Sequence, residues 1–112
     1  MLKKELFKEV LIKAGEELSY DMKLTYYLLT DSVSEEYCDL KVYGVEIDKV
    51  SEKKNGKRDC EKKIIKDLFF RKNEAMDFLE KIARNKVTPM GLKYVVNEYI
   101  GEQIQICESN VM

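Results

Sequence analysis

The most basic stretch of the chain, residues 52–63, reads EKKNGKRDCEKK. Nine lysine or arginine residues and three acidic residues lie in residues 53–72, although the whole chain has a net charge of −1. Lysine-flanked strands can lie along phosphates and gain affinity by releasing counterions. No aromatic side chain is interleaved at the tip to stack a base, so a solvated hairpin with edge-protecting lysines is the competing interpretation. The candidate nucleic-acid-binding residues are Lys53, Lys54, Lys57 and Arg58.

Tyrosines on the predicted strands form the second candidate site. Tyrosine buries a large rigid ring while its hydroxyl stays polar, and it is enriched where proteins touch. One sheet face bearing Tyr27, Tyr37 and Tyr43 would suit a protein partner or a second copy of the chain. The competing interpretation is ordinary partial exposure, which tyrosine tolerates.

Catalytic chemistry has little support in the residue types. The chain has no histidine, and its three cysteines are widely spaced with no Cys-x-x-Cys pair. The sequence contains no recognisable zinc-binding motif, phosphate-binding loop or nucleophile elbow. The adjacent acids Glu16-Glu17 and Glu35-Glu36 would point in opposite directions on a strand. We therefore predict no catalytic residue, no metal and no cofactor.

The cysteine content and the N-terminus indicate a compartment. An odd number of dispersed cysteines is typical of reduced thiols in a cytoplasmic protein. Charges interrupt the first residues, so they lack the apolar core of a signal peptide, and no stretch has the roughly 20 apolar residues of a membrane span. The sequence predicts a single domain over residues 1–112, in the cytoplasm and without a membrane partner.

Alternating hydrophobicity predicts strands in the first two-thirds of the chain. Residues 20–29 alternate apolar and polar side chains, with Tyr20, Met22, Leu24, Tyr26 and Leu28 on one face. In residues 37–50 the phase changes at Gly44, which predicts a bulge that lets Cys38, Leu40 and Val42 share the inward face with later residues. Residues 6–13 fit a strand or a helix, and we favour a strand. The pair Asn55-Gly56 predicts a two-residue turn between residues 37–54 and 57–70.

The last third changes to helical spacing. Ala75, Met76, Leu79, Ile82 and Ala83 recur at helical intervals, and Asn73 is the predicted N-cap. A second helix begins at Thr88-Pro89, where threonine suits the cap and proline the first turn. The fold class is therefore α+β: an antiparallel sheet of three to four strands over residues 6–70, with a C-terminal helical hairpin over residues 73–105 packed on one face.

Two motifs resemble a known family. Tyr43-Gly-Val-Glu-Ile47 on a strand, and Val87-Thr-Pro-x-x-Leu92 at a helix start, resemble an uncharacterised family of small bacterial proteins defined only as a domain of unknown function. The resemblance covers residues 26–100. It implies a small stand-alone cytoplasmic protein and brings no substrate, cofactor or catalytic residue.

These observations favour a non-enzymatic interaction or regulatory protein that acts by protein contact or self-association. A nucleic-acid-binding accessory protein that uses the basic hairpin is the alternative.

Overall fold

The computed structural model describes residues 2–13, 21–34, 39–52 and 56–110. Four strands form one antiparallel sheet in chain order, and two helices follow. This confirms the predicted α+β class. The elements are β1 Lys3–Ile12, β2 Asp21–Ser34, β3 Asp39–Glu52, β4 Arg58–Phe69, α1 Lys72–Arg84 and α2 Pro89–Asn110.

The alternating apolar residues of β2 face the core, as predicted. Its even-numbered residues from Met22 to Leu28 are buried and pack with apolar residues of both helices. Tyr20, predicted to extend this face, lies outside the described residues. The ambiguous N-terminal segment is the strand β1, which pairs with β2 and has a bulge at Phe7. The bulge turns Phe7 toward the core, where it is half-buried.

The predicted phase of β3 is wrong before Gly44, whereas Val45 and Ile47 after it face the core as predicted. β3 pairs with β2 without a register shift from Asp39 to Glu52. Tyr43, Val45 and Ile47 therefore share the helix side, and Leu40 and Val42 point to the other side. The reason is that β3 is apolar on both faces near Gly44, so burial alone does not reveal which parity faces the helices. Cys38 lies outside the described residues.

The irregularity at Gly44 belongs to the pairing of β3 with β4. Tyr43 pairs with Phe69 but Val45 pairs with Ile65, so β4 carries the additional residues, and among them Asp67 has a φ of 56°. A Cβ on Gly44 would lie 2.3 Å from the carbonyl oxygen of Ile65. Glycine is therefore required because the β4 backbone passes directly over this position.

The β3–β4 hairpin is confirmed, and Glu52 pairs with Arg58 at the end nearest the turn. Asn55 of the predicted two-residue turn lies outside the described residues. The observed register turns Ile65 toward the core and leaves Ile64 exposed. A shift of one residue would exchange those faces, so burial of Ile65 opposite Val45 fixes the register.

The helices differ in how well their ends were predicted. Thr88 caps α2, since its Oγ1 accepts from the Gly91 N–H at 3.4 Å, and Pro89 is the first helical residue. The predicted N-cap Asn73 is wrong, because α1 begins at Lys72 after an extended Arg71 and has no side-chain cap. β4 ends at Phe69, so only two residues separate this strand from the start of α1.

One aromatic cluster joins the sheet to both helices. The rings of Phe69, Phe78 and Tyr99 have centroids 5.4–5.6 Å apart in tilted and edge-on arrangements. Beside it, the buried Tyr26 hydroxyl donates to the Val87 carbonyl at 2.8 Å. Burial raises the pKa of Tyr26 to about 12, so this hydroxyl keeps its proton and ties β2 to the connection between the helices.

Candidate functional site

Within the described residues, the apolar side chains of both helices pack on one face of the sheet only, and we call the other face the open face. Side chains directly opposite each other in antiparallel pairs lie on the same face, so the register defines its rows. From β1 to β4 these rows are Leu11–Lys23–Val50–Cys60, Glu9–Thr25–Asp48–Lys62 and Leu6–Tyr27–Glu46–Ile64, followed by Lys4–Leu29–Gly44.

Exposed large apolar side chains are spread over the open face. They occur on both edge strands and on β3, namely Leu6, Leu11, Leu40, Val50 and Ile64. Leu11 is 66% exposed and Leu6 is 59% exposed. Between them, Leu29 and Val42 are already buried within the sheet surface. The open face is therefore apolar on its flanks as well as in part of its centre.

A charged group occupies the middle of this face. The Lys4 Nζ lies 2.6 Å from the Glu46 carboxylate and 4.1 Å from the centroid of the Tyr27 ring. Glu46 is only 3% exposed. The bond to Glu46 raises the pKa of Lys4, so this ammonium is firmly charged. An ion pair and a cation–π contact thus neutralise the centre of the face.

Asp48 lies beside Glu46, two residues along β3 on the same face. Burial, followed by the hydrogen bond and charge of Glu46, raises the pKa of Asp48. Burial also acts to raise the pKa of Glu46, but the bonds from Lys4 and Asp48 bring it below its ordinary value. As the pH falls, Asp48 therefore takes up a proton before Glu46 does.

Sequence reasoning missed this pair because it weighed only adjacent acids. Two acids separated by one residue on a strand share a face, and the sequence Glu46-Ile47-Asp48 carries that signal. A carboxyl pair with split pKa values can serve acid–base chemistry. In this chain Lys4 holds Glu46 directly, so the pair supports the electrostatic balance of the face.

The predicted tyrosine surface is only partly assembled. Tyr27 lies on the open face, half-buried beside Lys4. Tyr43 lies on the opposite side and packs against the core, so the prediction that it shares a face with Tyr27 is wrong. The cause is the parity of β3, which places Val42 and Gly44 on the open side. Tyr37 lies outside the described residues.

The basic hairpin contains fewer described candidates than predicted. Lys57 and Arg58 are exposed, and Arg58 pairs in register with Glu52. Lys53 and Lys54 lie outside the described residues. Further along β4, Glu61 lies 3.5 Å from Lys49 on the helix side. Acidic side chains therefore accompany the basic ones along this hairpin.

A groove between the two helices is too small for a typical ligand. It encloses about 130 Å³, whereas small-molecule pockets usually measure roughly 300–1,000 Å³. Its lining residues are Phe78, Lys81, Ile82, Asn85, Val87, Val95, Glu98 and Tyr99.

The described parts of the chain lack the features of a metal site and of a membrane-spanning helix. Among these residues, no three histidine, cysteine, aspartate or glutamate side chains gather as metal ligands would. No helix within residues 56–110 has both the length and the apolar character needed to cross a bilayer.

Comparison with known proteins gives one family. No curated protein and no solved structure matches the chain. The profile of a family described as "Family of unknown function (DUF6514)" matches residues 6–102. That match includes all four strands from Leu6 onward, α1 and the first part of α2. The chain belongs to this family of unknown function.

Proposed function

We propose that the chain is a non-enzymatic protein-contact module of the bacterial cytoplasm, and that the open face is its contact surface. The observation that carries this proposal is the set of exposed apolar side chains on the open face, from Leu11 on β1 to Ile64 on β4. The partner that fits is a flat apolar protein surface, such as the face of another sheet.

Both faces of the sheet carry apolar side chains. A soluble sheet normally has one apolar face against a core and one polar face in water. In this chain the helices cover one face, yet the other also carries leucine, isoleucine and valine. These side chains alternate with charged residues such as Glu9, Lys23 and Lys62. Apolar side chains that recur across an exposed face are typical of interaction sites, because their exposure to water is unfavourable.

The polar centre of the open face is compatible with burial in a contact. Lys4 and Glu46 neutralise each other at 2.6 Å, and Tyr27 covers the ammonium. A charge that is already paired loses less on desolvation than an isolated one. The apolar flanks can therefore drive binding while the centre contributes specificity.

The alternative, a nucleic-acid-binding accessory protein that uses the basic hairpin, has weaker support. Glu52 opposite Arg58 and Glu61 near Lys49 reduce the local positive potential that phosphate binding requires. The described residues nearest the turn, 49–52 and 56–63, also carry no aromatic ring on which a base could stack.

Photo-crosslinking in living cells tests the proposal. A photoreactive phenylalanine analogue replaces Leu11 on the open face in one variant and Met90 on the helical side in the other; the native side chains are 66% and 76% exposed. We expect a discrete protein adduct from position 11 and none from position 90. If position 11 yields no adduct, or both positions give the same diffuse adducts, the open face is not a specific contact surface.

A further inference from the structure

We propose that the occupant of the open face is a second copy of this chain, packed sheet against sheet about a two-fold axis parallel to the strands and between β2 and β3. This inference rests on the proposed function, because it names the partner of the same surface. In an isologous contact of this kind both copies use the same surface, so when one element of the first copy lies over a second element of its partner, the reverse contact forms as well. β1 of one copy then faces β4 of the other, and β2 faces β3.

The size of the face matches what a stable dimer needs. Four strands spaced about 4.8 Å apart are roughly 19 Å wide, and the ten residues of β1 span about 33 Å. Their product is about 630 Å² on each copy, or roughly 1,250 Å² in total. Specific interfaces start near 1,200 Å², so the open face alone is large enough.

The rows of the open face are complementary to themselves under this symmetry. Leu6 of one copy faces Ile64 of the other, so apolar edges meet. In the neighbouring row, Glu9 faces Lys62, so opposite charges meet. Sheets packed face to face are rotated by about 30°, which displaces the edge strands by about one residue, so the long edge side chains remain within reach of the partners named.

The central pair of strands is complementary as well. Tyr27 faces Glu46 of the second copy, and Thr25 faces Asp48. Thr25 is only 7% exposed, and the Asp48 Oδ1 atom is shielded from solvent within one copy. These central side chains are therefore already desolvated in each copy, and the contact between copies adds little dehydration cost here.

A charge exchange between Glu9 and Lys62 gives a decisive test. The two residues are three strands apart, about 14 Å within one copy, so they cannot pair inside a monomer. Glu9→Lys and Lys62→Glu each place like charges together across the dimer. Glu9 also lies 3.3 Å from Lys23 within its own copy, and the double variant Glu9→Lys with Lys62→Glu does not restore that ion pair. The double variant restores opposite charges only between copies, so recovery of the dimer reports the contact between copies. Glu61→Lys reverses a charge on the helix side of the same strand and is the matched control.

Light scattering of purified chain during size-exclusion chromatography measures the mass of each variant. We expect wild type and the Glu61→Lys control at about twice the 13.2 kDa of one chain. Each open-face single variant should dissociate at least about tenfold more readily, since facing like charges are strongly unfavourable, and the double variant should recover the dimer. A monomeric wild type, or a dimer unaffected by either single variant, overturns the inference.

A second measurement tests the inference even if the charge variants fail to fold. The photoreactive residue is placed at Leu6 in otherwise wild-type purified chain, and the adduct is mapped by mass spectrometry. A dimer linked from position 6 to the β4 peptide around Ile64 supports the inference, and a link elsewhere or none overturns it. If adducts in cells contain other proteins while the purified chain stays monomeric, the proposed function stands and the second copy is wrong. If position 11 gives no adduct in cells, both are wrong.

Discussion

Replacing Gly44 with alanine tests the packing of β4 over β3. The added Cβ would lie 2.3 Å from the Ile65 carbonyl oxygen and 2.9 Å from the Lys66 Cα. Both are backbone atoms, so no side chain can rotate away to relieve the contact. The hydrogen-bonded strand would have to move by about an ångström or lose its pairing.

The expected loss of stability is large for a single methyl group. Overpacking a dense region typically costs about 1–3 kcal/mol, and we expect the upper end because the obstruction is backbone. For a domain of about 100 residues, 3 kcal/mol lowers the melting temperature by roughly 10–20 °C.

Gly91→Ala is the matched control. At that position the added Cβ has its nearest neighbours at 3.6 Å and 3.8 Å, which is ordinary contact. Gly91 lies in the first turn of α2, where alanine is favoured over glycine by up to about 1 kcal/mol. Urea denaturation followed by circular dichroism should show Gly44→Ala destabilised and Gly91→Ala unchanged or stabilised. Equal stabilities for the two variants would refute the close approach of β4 to Gly44.

Three further predictions concern buried polar groups. Tyr26→Phe removes the hydrogen bond to the Val87 carbonyl and should lower the free energy of unfolding by about 1–2 kcal/mol in urea titrations. Lys4→Met leaves the buried Glu46 carboxylate without its partner and should cost about 1–3 kcal/mol in the same assay. Because the pKa of Asp48 is raised in the folded chain, the folded state holds a proton that the unfolded state releases above about pH 3.9, so this residue makes stability fall as pH rises through the folded pKa. Asp48→Asn cannot lose that proton and should remove this part of the slope when unfolding is measured at a series of pH values.

Each of these predictions has a clear contrary result. Lys3→Met breaks a surface ion pair with Glu5 whose two side chains are both well exposed, so it should change stability little. If Lys4→Met is as mild as Lys3→Met, the Glu46 pair does not stabilise the fold. An unchanged pH slope in Asp48→Asn would show that the proton resides elsewhere. A Tyr26→Phe variant as stable as wild type would show that the Val87 carbonyl finds another donor.

The sequence predicted those elements in which one periodicity dominates. β2 alternates over many residues, and α2 begins at a threonine–proline pair, so both were placed correctly. The residues of β3 alone do not indicate which of its faces is directed at the helices, because Tyr43 and Val42 are both apolar enough for a core. Only the pairing with β2, whose inward parity is unambiguous, decides which one faces the helices.

The candidate site was harder to predict than the fold. Tyr27 was singled out correctly as an open-face residue, but its neighbours Lys4 and Glu46 come from strands far apart in sequence. No local pattern indicates that a lysine near the N-terminus will meet a carboxylate on β3. The apolar edge residues were equally hidden, because Leu6 and Leu11 fit a helix nearly as well as a strand before the register is known.

The reactivity of Cys60 in cells tests the central claim most directly. This thiol is exposed on the open face in the row of Leu11 and Val50, so a bound partner must shield it. Intact cells, and purified chain diluted until light scattering gives the mass of a monomer, are treated with the same concentration of a cell-permeable maleimide, and the Cys60 peptide is followed by mass spectrometry. A cysteine at position 90, in Met90→Cys, reports the helical side.

We predict that Cys60 reacts several-fold more slowly in cells than in dilute solution once the rates are normalised to position 90. Leu11→Glu should abolish that difference by disrupting the contact. Equal normalised rates for Cys60 in the two settings would contradict the assignment of the open face as a protein-contact surface.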